Sequence, residues 1–119
     1  FSVYNQAEIH FQKALFYQKE SQTANYRQGL ISMSRFDFQQ AAGHLEISLL
    51  SAPNHRGFKK SLGYCYTWLG QFDEAEVLLR EIPEARSEME VYTWWWQRQG
   101  IDHLSKNASQ MAHLLDNHP

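Results

Sequence analysis

One pattern of residues returns three times along the chain at a constant interval. An aromatic, an alanine three places on and a large apolar residue four places later occur as Tyr4, Ala7 and Phe11, as Phe38, Ala41 and Leu45, and as Phe72, Ala75 and Leu79. The step from Tyr4 to Phe38 equals the step from Phe38 to Phe72. Gly29 and Gly63 keep the same interval, and each stands equally far ahead of its alanine, Ala41 or Ala75. Residues three and four apart share one face of a helix. The triplet therefore reads as helix. Its return at a period known for helix-turn-helix units reads as stacked hairpins rather than one closed bundle.

The rest of the chain agrees. Strand turns rich in glycine are missing, β-branched residues are sparse, and the prolines are Pro53, Pro83 and Pro119. Apolar stripes run through Ala7, Phe11, Ala14 and Leu15, through Ala41, Leu45, Ser48 and Leu49, through Leu62, Tyr66 and Leu69, and through Ala75, Leu78, Leu79 and Ile82. The spacing predicts helices over residues 2–19, 22–34, 38–51, 55–68, 72–81, 88–101 and 104–116. Pro53 ends one of them, because proline cannot continue a helix. Pro83 comes earlier in its unit, so the connection there is longer or bent. Ser87 and Glu90 then read as a capping box opening the next helix.

The segment LGYCYTWLGQFDEAEVLL, Leu62 to Leu79, resembles a tetratricopeptide repeat. It carries Leu62 and Gly63, then Tyr66, Gly70, Phe72, Ala75 and Leu79 at that family's spacing. The unit before it keeps Gly29, Phe38, Ala41, Leu45 and Pro53, with Gln28 in place of the leucine, Ser32 of the tyrosine and Phe36 of the turn glycine. The resemblance implies an all-α fold, an α-solenoid of about three and a half stacked antiparallel hairpins. These are a half repeat over 1–21, repeats over 22–55 and 56–88, and a degenerate repeat over 89–119. The chain opens on Phe1 and reads as a piece of a longer protein. Two registers fit the last hairpin. In one, Gly100 and Ala112 are the close-packing pair. In the other, favoured by the early capping box, Ala108 is the packing alanine and Trp96 takes the small-residue place.

Composition excludes several functions. The 119 residues are 43% apolar and 14% aromatic, enough to build a core, and net charge is −2 with a pI near 6.3. No basic stripe marks a phosphate-binding face, so nucleic acid is not an expected partner. Apolar runs are too short for a membrane span. Cys65 is the single cysteine, lies between packing residues and reads as a buried inert thiol; a cytoplasmic setting fits it. The six histidines form no metal-ligand spacing. No phosphate loop and no nucleophile-base arrangement is present, so the expectation is no cofactor, no metal and no enzyme.

A binding surface is the sharper expectation. The resemblance implies that the first helix of each hairpin lines a concave face. In this sequence that face holds Tyr26, Arg27, Leu30 and Met33, then Lys60, Tyr64, Thr67 and Trp68, then Trp94 and Gln97. Tyrosine and tryptophan offer large contact area with a polar tip. An equal reading packs Tyr64 and Trp68 against the next hairpin. Members of the family that clamp a carboxylate use lysine, asparagine and arginine in this groove; Lys60 fits that pattern and Tyr64 departs from it. The expected function is a non-catalytic scaffold or adaptor that takes a peptide segment or helix of a partner protein. The alternatives are a client-specific chaperone, or a regulatory or structural arm of a larger enzyme. At the ends, Phe11, Leu15 and Phe16, and then Met111, Leu114 and Leu115, are expected to lack cover, so the chain continues or forms a homodimer through its end helices. Of Trp94, Trp95 and Trp96, the last two have apolar neighbours one turn away and read as core. Trp94 has Glu90, Gln97 and Arg98 instead. It lies on the groove, stacks on Arg98 or contacts another chain.

Overall fold

A computed structural model describes residues 3–116, with side chains described at Ile9, Lys13 and from Glu20 to Asp116. The described residues form six α-helices: α1 (Val3–Ser34), α2 (Phe38–Ser51), α3 (Arg56–Trp68), α4 (Phe72–Leu79), α5 (Ala85–Arg98) and α6 (Asp102–Asp116). The helices pair as antiparallel hairpins α1–α2, α3–α4 and α5–α6, and the fold is an all-α repeat solenoid.

The first helix differs from expectation. The stretches 2–19 and 22–34 are not two helices but one, of 32 residues. The reason is local. One period before Pro53 the matching place is held by Lys19, a good helix former, and no proline interrupts the segment. The side chains of Tyr4, Ala7, Phe11, Ala14, Leu15 and Phe16, which carry the expected half repeat and its uncovered end, lie outside the described residues.

Both full repeats owe their tight hairpins to a missing side chain. A Cβ on Gly29 would come within 2.8 Å of Leu45 Cγ, and one on Gly63 within 2.5 Å of Leu79 Cδ2. The helices of each hairpin therefore sit closer than any larger residue permits. The starts are capped locally. Asp37 accepts from the Gln40 amide at 3.3 Å, and His55 Nδ1 accepts from the Phe58 amide at 3.2 Å while its ring stacks on Phe58.

The three hairpin turns are copies of one motif. Asp37 donates to Ser32 at 2.9 Å, Gln71 to Tyr66 at 2.8 Å and Ile101 to Trp96 at 3.0 Å, all backbone to backbone. The residue before each donor is left-handed: Phe36 at φ 62°, Gly70 at 78° and Gly100 at 77°. Phe36 and Gly70 stand one full period apart, but Gly100 follows Gly70 sooner, so the last hairpin arrives about one helical turn early. Gly100 is thus a turn glycine and not a helix-packing one, which removes the register that pairs it with Ala112. Ala108 and Trp96 are both buried, and the cross-hairpin bond runs from Ser105 Oγ to the Thr93 carbonyl at 2.7 Å.

The junction before that hairpin also departs from expectation. α4 stops at Leu79 after only two turns, and Pro83 follows. α5 begins at Ala85, ahead of the expected start at Glu88, so the Ser87–Glu90 capping box does not form. Ser87 Oγ donates instead to the Glu84 carbonyl, and Glu90 pairs with Arg86. The short α4 changes how the next hairpin lands. α6 packs closely on both α3 and α4, while α5 meets α3 through long side chains. Met111, expected on an open end, is fully buried, and Leu114 and Leu115 pack against the same core. The outer face of α6 carries His103, Lys106, Gln110 and His113, which solvate this end. Met111 is therefore not part of an open apolar end, and Leu114 and Leu115 are only partly exposed.

Candidate functional site

α5 divides its apolar residues between two faces. At about 100° per residue, Ala85, Met89, Tyr92 and Trp96 fall on one side and Val91, Trp94 and Trp95 spread over the other. The first set faces inward. Trp96 is 4% exposed and stands edge-on to Trp68 at 5.5 Å, to Phe36 at 5.4 Å and to Trp95 at 4.7 Å between ring centroids. Its indole N–H is buried without a hydrogen-bond partner among the described residues. The rings of Phe36, Trp68, Tyr92 and Trp95 pack around Trp96, and a ring accepts a hydrogen bond only weakly.

The seam between α3 and α5 changes character along its length. At one end it is ionic. Arg56 pairs with Glu84, Lys60 bridges Glu84 at 3.1 Å and Glu88 at 2.9 Å, and Lys59 reaches Glu81 at 2.6 Å. Arg56 is the chief cause that draws the Glu84 carboxyl down to about 2. The Tyr64 hydroxyl donates to Glu88 and is the main reason that carboxyl lies below its ordinary range. Burial first, and then Glu88, push the Tyr64 phenol upward. Past Tyr64 the seam is aromatic: Tyr64, Trp68 and Tyr92 meet edge to face, Trp96 stands edge-on to Trp68, and Tyr92 and Trp96 lie near parallel at 6.3 Å.

This packing corrects part of the expected groove. Tyr64, Thr67 and Trp68 are buried. α5 lays Tyr92 and Trp96 across Tyr64 and Trp68, and Asn107 of α6 donates to the Trp68 carbonyl at 3.2 Å. Thr67 donates to the Gly63 carbonyl at 2.9 Å inside its own helix. None of the three is free to meet a partner, because the last hairpin occupies the space in front of α3. Lys60 is held in its ion pairs. Tyr26 is half-buried against Phe58 at 4.8 Å, and Met33 packs between the two core clusters. Arg27 and Leu30 are exposed on α1. Gln97 is exposed at a shallow polar hollow shared with Thr93, Asp102, Ser105, Lys106 and Ser109. Cys65 is buried and bonds the Phe38 carbonyl, and burial pushes its thiol up to about 12, which makes it a poor nucleophile.

Trp94 is 56% exposed with the Arg98 guanidinium 4.7 Å from its ring centroid, the stacked arrangement among those expected. Trp95 corrects the sequence reading: it is 42% exposed, not core. Its expected apolar neighbour Val91 is itself 63% exposed, so it offers no cover. On one edge Trp95 meets Tyr92 and Trp96, and its other side is open. Phe36, on the far side of Trp96, is 51% exposed. A row of rings thus runs Phe36, Trp96, Trp95, with its middle buried and its ends open. A phenylalanine in a left-handed turn costs roughly 1–2 kcal/mol, which makes Phe36 costly both in backbone and in exposure. Sequence reasoning noted Phe36 only as a departure from glycine. That departure was the available signal for its role.

The turns, close-packing glycines and paired hairpins fit one family, and the comparison agrees: the family model described as Tetratricopeptide repeat matches residues 32–91. The chain belongs to the tetratricopeptide repeat family. No curated protein and no solved structure matches it. Tetratricopeptide repeats generally mediate protein–protein interaction and are typically non-catalytic, so this chain's partners are proteins. Among the described residues no helix is long and apolar enough to cross a membrane, and no cluster of His, Cys, Asp or Glu is placed to hold a metal ion. The last hairpin covers Tyr64 and Trp68 of α3 and leaves its own Trp94 and Trp95 exposed.

Proposed function

We propose that this chain is a non-catalytic adaptor that docks a segment of a partner protein along the exposed side of α5. The observation that carries this reading is the concentration of large apolar side chains there: Val91, Trp94 and Trp95 within two turns, continued by Phe36 through the buried Trp96. Scattered exposed apolar residues are ordinary, but a contiguous aromatic patch marks an interaction surface. Tryptophan is also the residue that yields most when it is covered by a partner. Arg27 and Leu30 on α1 and Gln97 beyond Trp94 remain as flanking contacts, and the buried Tyr64, Thr67 and Trp68 act as the platform beneath. The test is affinity capture from cell extract with the wild type against Val91→Ser/Trp95→Ala. The reading expects one or a few specific proteins to be lost from the variant while its helical circular dichroism is unchanged. Equal recovery of every protein would remove α5 as the docking face.

A further inference from the structure

A pocket bounded by Glu88, Val91, Tyr92 and Trp95 opens on the outer side of α5. The Tyr92 and Trp95 rings stand 85° apart with centroids 6.5 Å from each other, so they form two walls of a corner. Aromatic faces carry partial negative charge and attract cations lying within about 6 Å. Glu88 adds a full negative charge at the same place, and its side chain is 39% exposed. Its present partners come from the α3 side: the Tyr64 hydroxyl at 2.5 Å and the Lys60 ammonium at 2.9 and 3.2 Å. An ionised carboxylate has about four acceptor positions, so capacity remains toward the pocket.

Those internal pairs explain why Glu88 is there. They do not explain why the Trp95 ring is left open beside it, with the half-buried Tyr92 as the second wall. The helix shows what such rings accept, since the Arg98 guanidinium already lies over Trp94 one turn away. Among the described residues no cation lies over Tyr92 or Trp95. A guanidinium suits the corner better than an ammonium. It is planar, stacks on a ring while its edge donates to a carboxylate, and sheds water more readily.

We propose that the corner between Tyr92 and Trp95 seats an arginine side chain of the partner protein, its plane against the rings and its N–H groups on Glu88. This rests on the reading of α5 as the docking face and adds the charge of the segment that docks there. The test follows the Trp95 indole N–H and the Glu88 to Tyr92 amides by NMR during titration with three capped pentapeptides. All have alanine flanks, and the central residue is arginine, citrulline or norleucine. Citrulline keeps the planar shape without the charge. The proposal expects saturable shifts confined to the corner with the arginine peptide, binding about fivefold weaker with citrulline, and a comparable loss for arginine on Trp95→Leu, which keeps an apolar side chain without a ring face. Equal binding of citrulline or norleucine would overturn the cation while leaving an apolar docking face in place. Arginine-induced shifts spread over Glu81 and Glu90 alike, or no shifts with any peptide, would overturn the seat itself. The capture experiment judges the docking face independently.

Discussion

The Tyr64 hydroxyl lies 2.5 Å from the Glu88 carboxylate, joining the buried rings of α3 to the charged rim of α5. The contact turns a residue expected on an open groove into the pivot of an interhelical seam. Tyr64→Phe keeps the ring and deletes the donor. Glu88 retains Lys60 and access to water, so the expected loss is at the low end for a charged hydrogen bond, about 1 kcal/mol. Tyr64→Ala also empties core volume and should cost about 3 kcal/mol or more. Urea denaturation of both variants checks this. Similar small losses for the two would return Tyr64 to the surface.

The ionic end of the seam sets a pH dependence. The Glu84 carboxyl, with Arg56 beside it, titrates at about 2 in the fold, against an ordinary value of about 4.3 in the unfolded chain. Between those values the unfolded state binds more protons, so stability rises with pH there. The contribution is fully present above the unfolded value and is lost as pH falls toward 2. The melting-temperature difference between wild type and Glu84→Gln should hold steady from neutral pH to about 5 and shrink below about 4.3, with added salt shrinking it at any pH. A difference that widens in acid would refute the assignment.

The three consecutive tryptophans should separate by energy. Trp96→Ala removes a buried ring that meets Phe36, Trp68, Tyr92 and Trp95, and should cost about 3–5 kcal/mol. Trp95→Ala loses edge contacts to Tyr92 and Trp96 and should cost about 1–2 kcal/mol. Trp94→Ala gives up an exposed cation–π contact and should stay within about 1 kcal/mol. Thermal unfolding of the three variants ranks them, and any other order would show that the faces of α5 are misassigned.

Glycine has two opposite roles within one repeat. Gly63→Ala would drive a methyl into the fully buried Leu79, and overpacking of about 1–3 kcal/mol outweighs a helix-propensity gain of about 1 kcal/mol. Gly43, exposed in α2 with nothing within 4 Å of an added Cβ, should give the reverse, a gain of about 0.5–1 kcal/mol as alanine. Opposite signs of the change in denaturation midpoint are the expected result. A stabilising Gly63→Ala would mean that the α3–α4 hairpin opens readily.

The recurrence, with the family motif it resembles, determined the helices over Phe38–Ser51 and Arg56–Trp68, the turn at Gly70 and the close approach at Gly29 and Gly63. These rest on local geometry: a stripe at helical spacing, a residue able to turn left-handed, a side chain too small to hold two helices apart. Cys65 as a buried thiol and Trp96 as core followed from the same stripes. Local rules did not reach the continuity of α1, which hung on a proline missing at Lys19. They did not reach the start of α5 either, where buried Ala85 prevailed over a capping box. The site lay further still from local rules. Whether Tyr64 and Trp68 face a partner or a neighbouring hairpin depends on how α5 and α6 land after a shortened α4, and no residue near either ring specifies that. Only long-range packing decided that α6 sits on α3 and α4, that Tyr92 and Trp96 cover the inner face, and that Trp95 is left open. A periodic sequence states which residues of a helix share a face; which neighbour covers that face is settled by the burial available to the assembled chain.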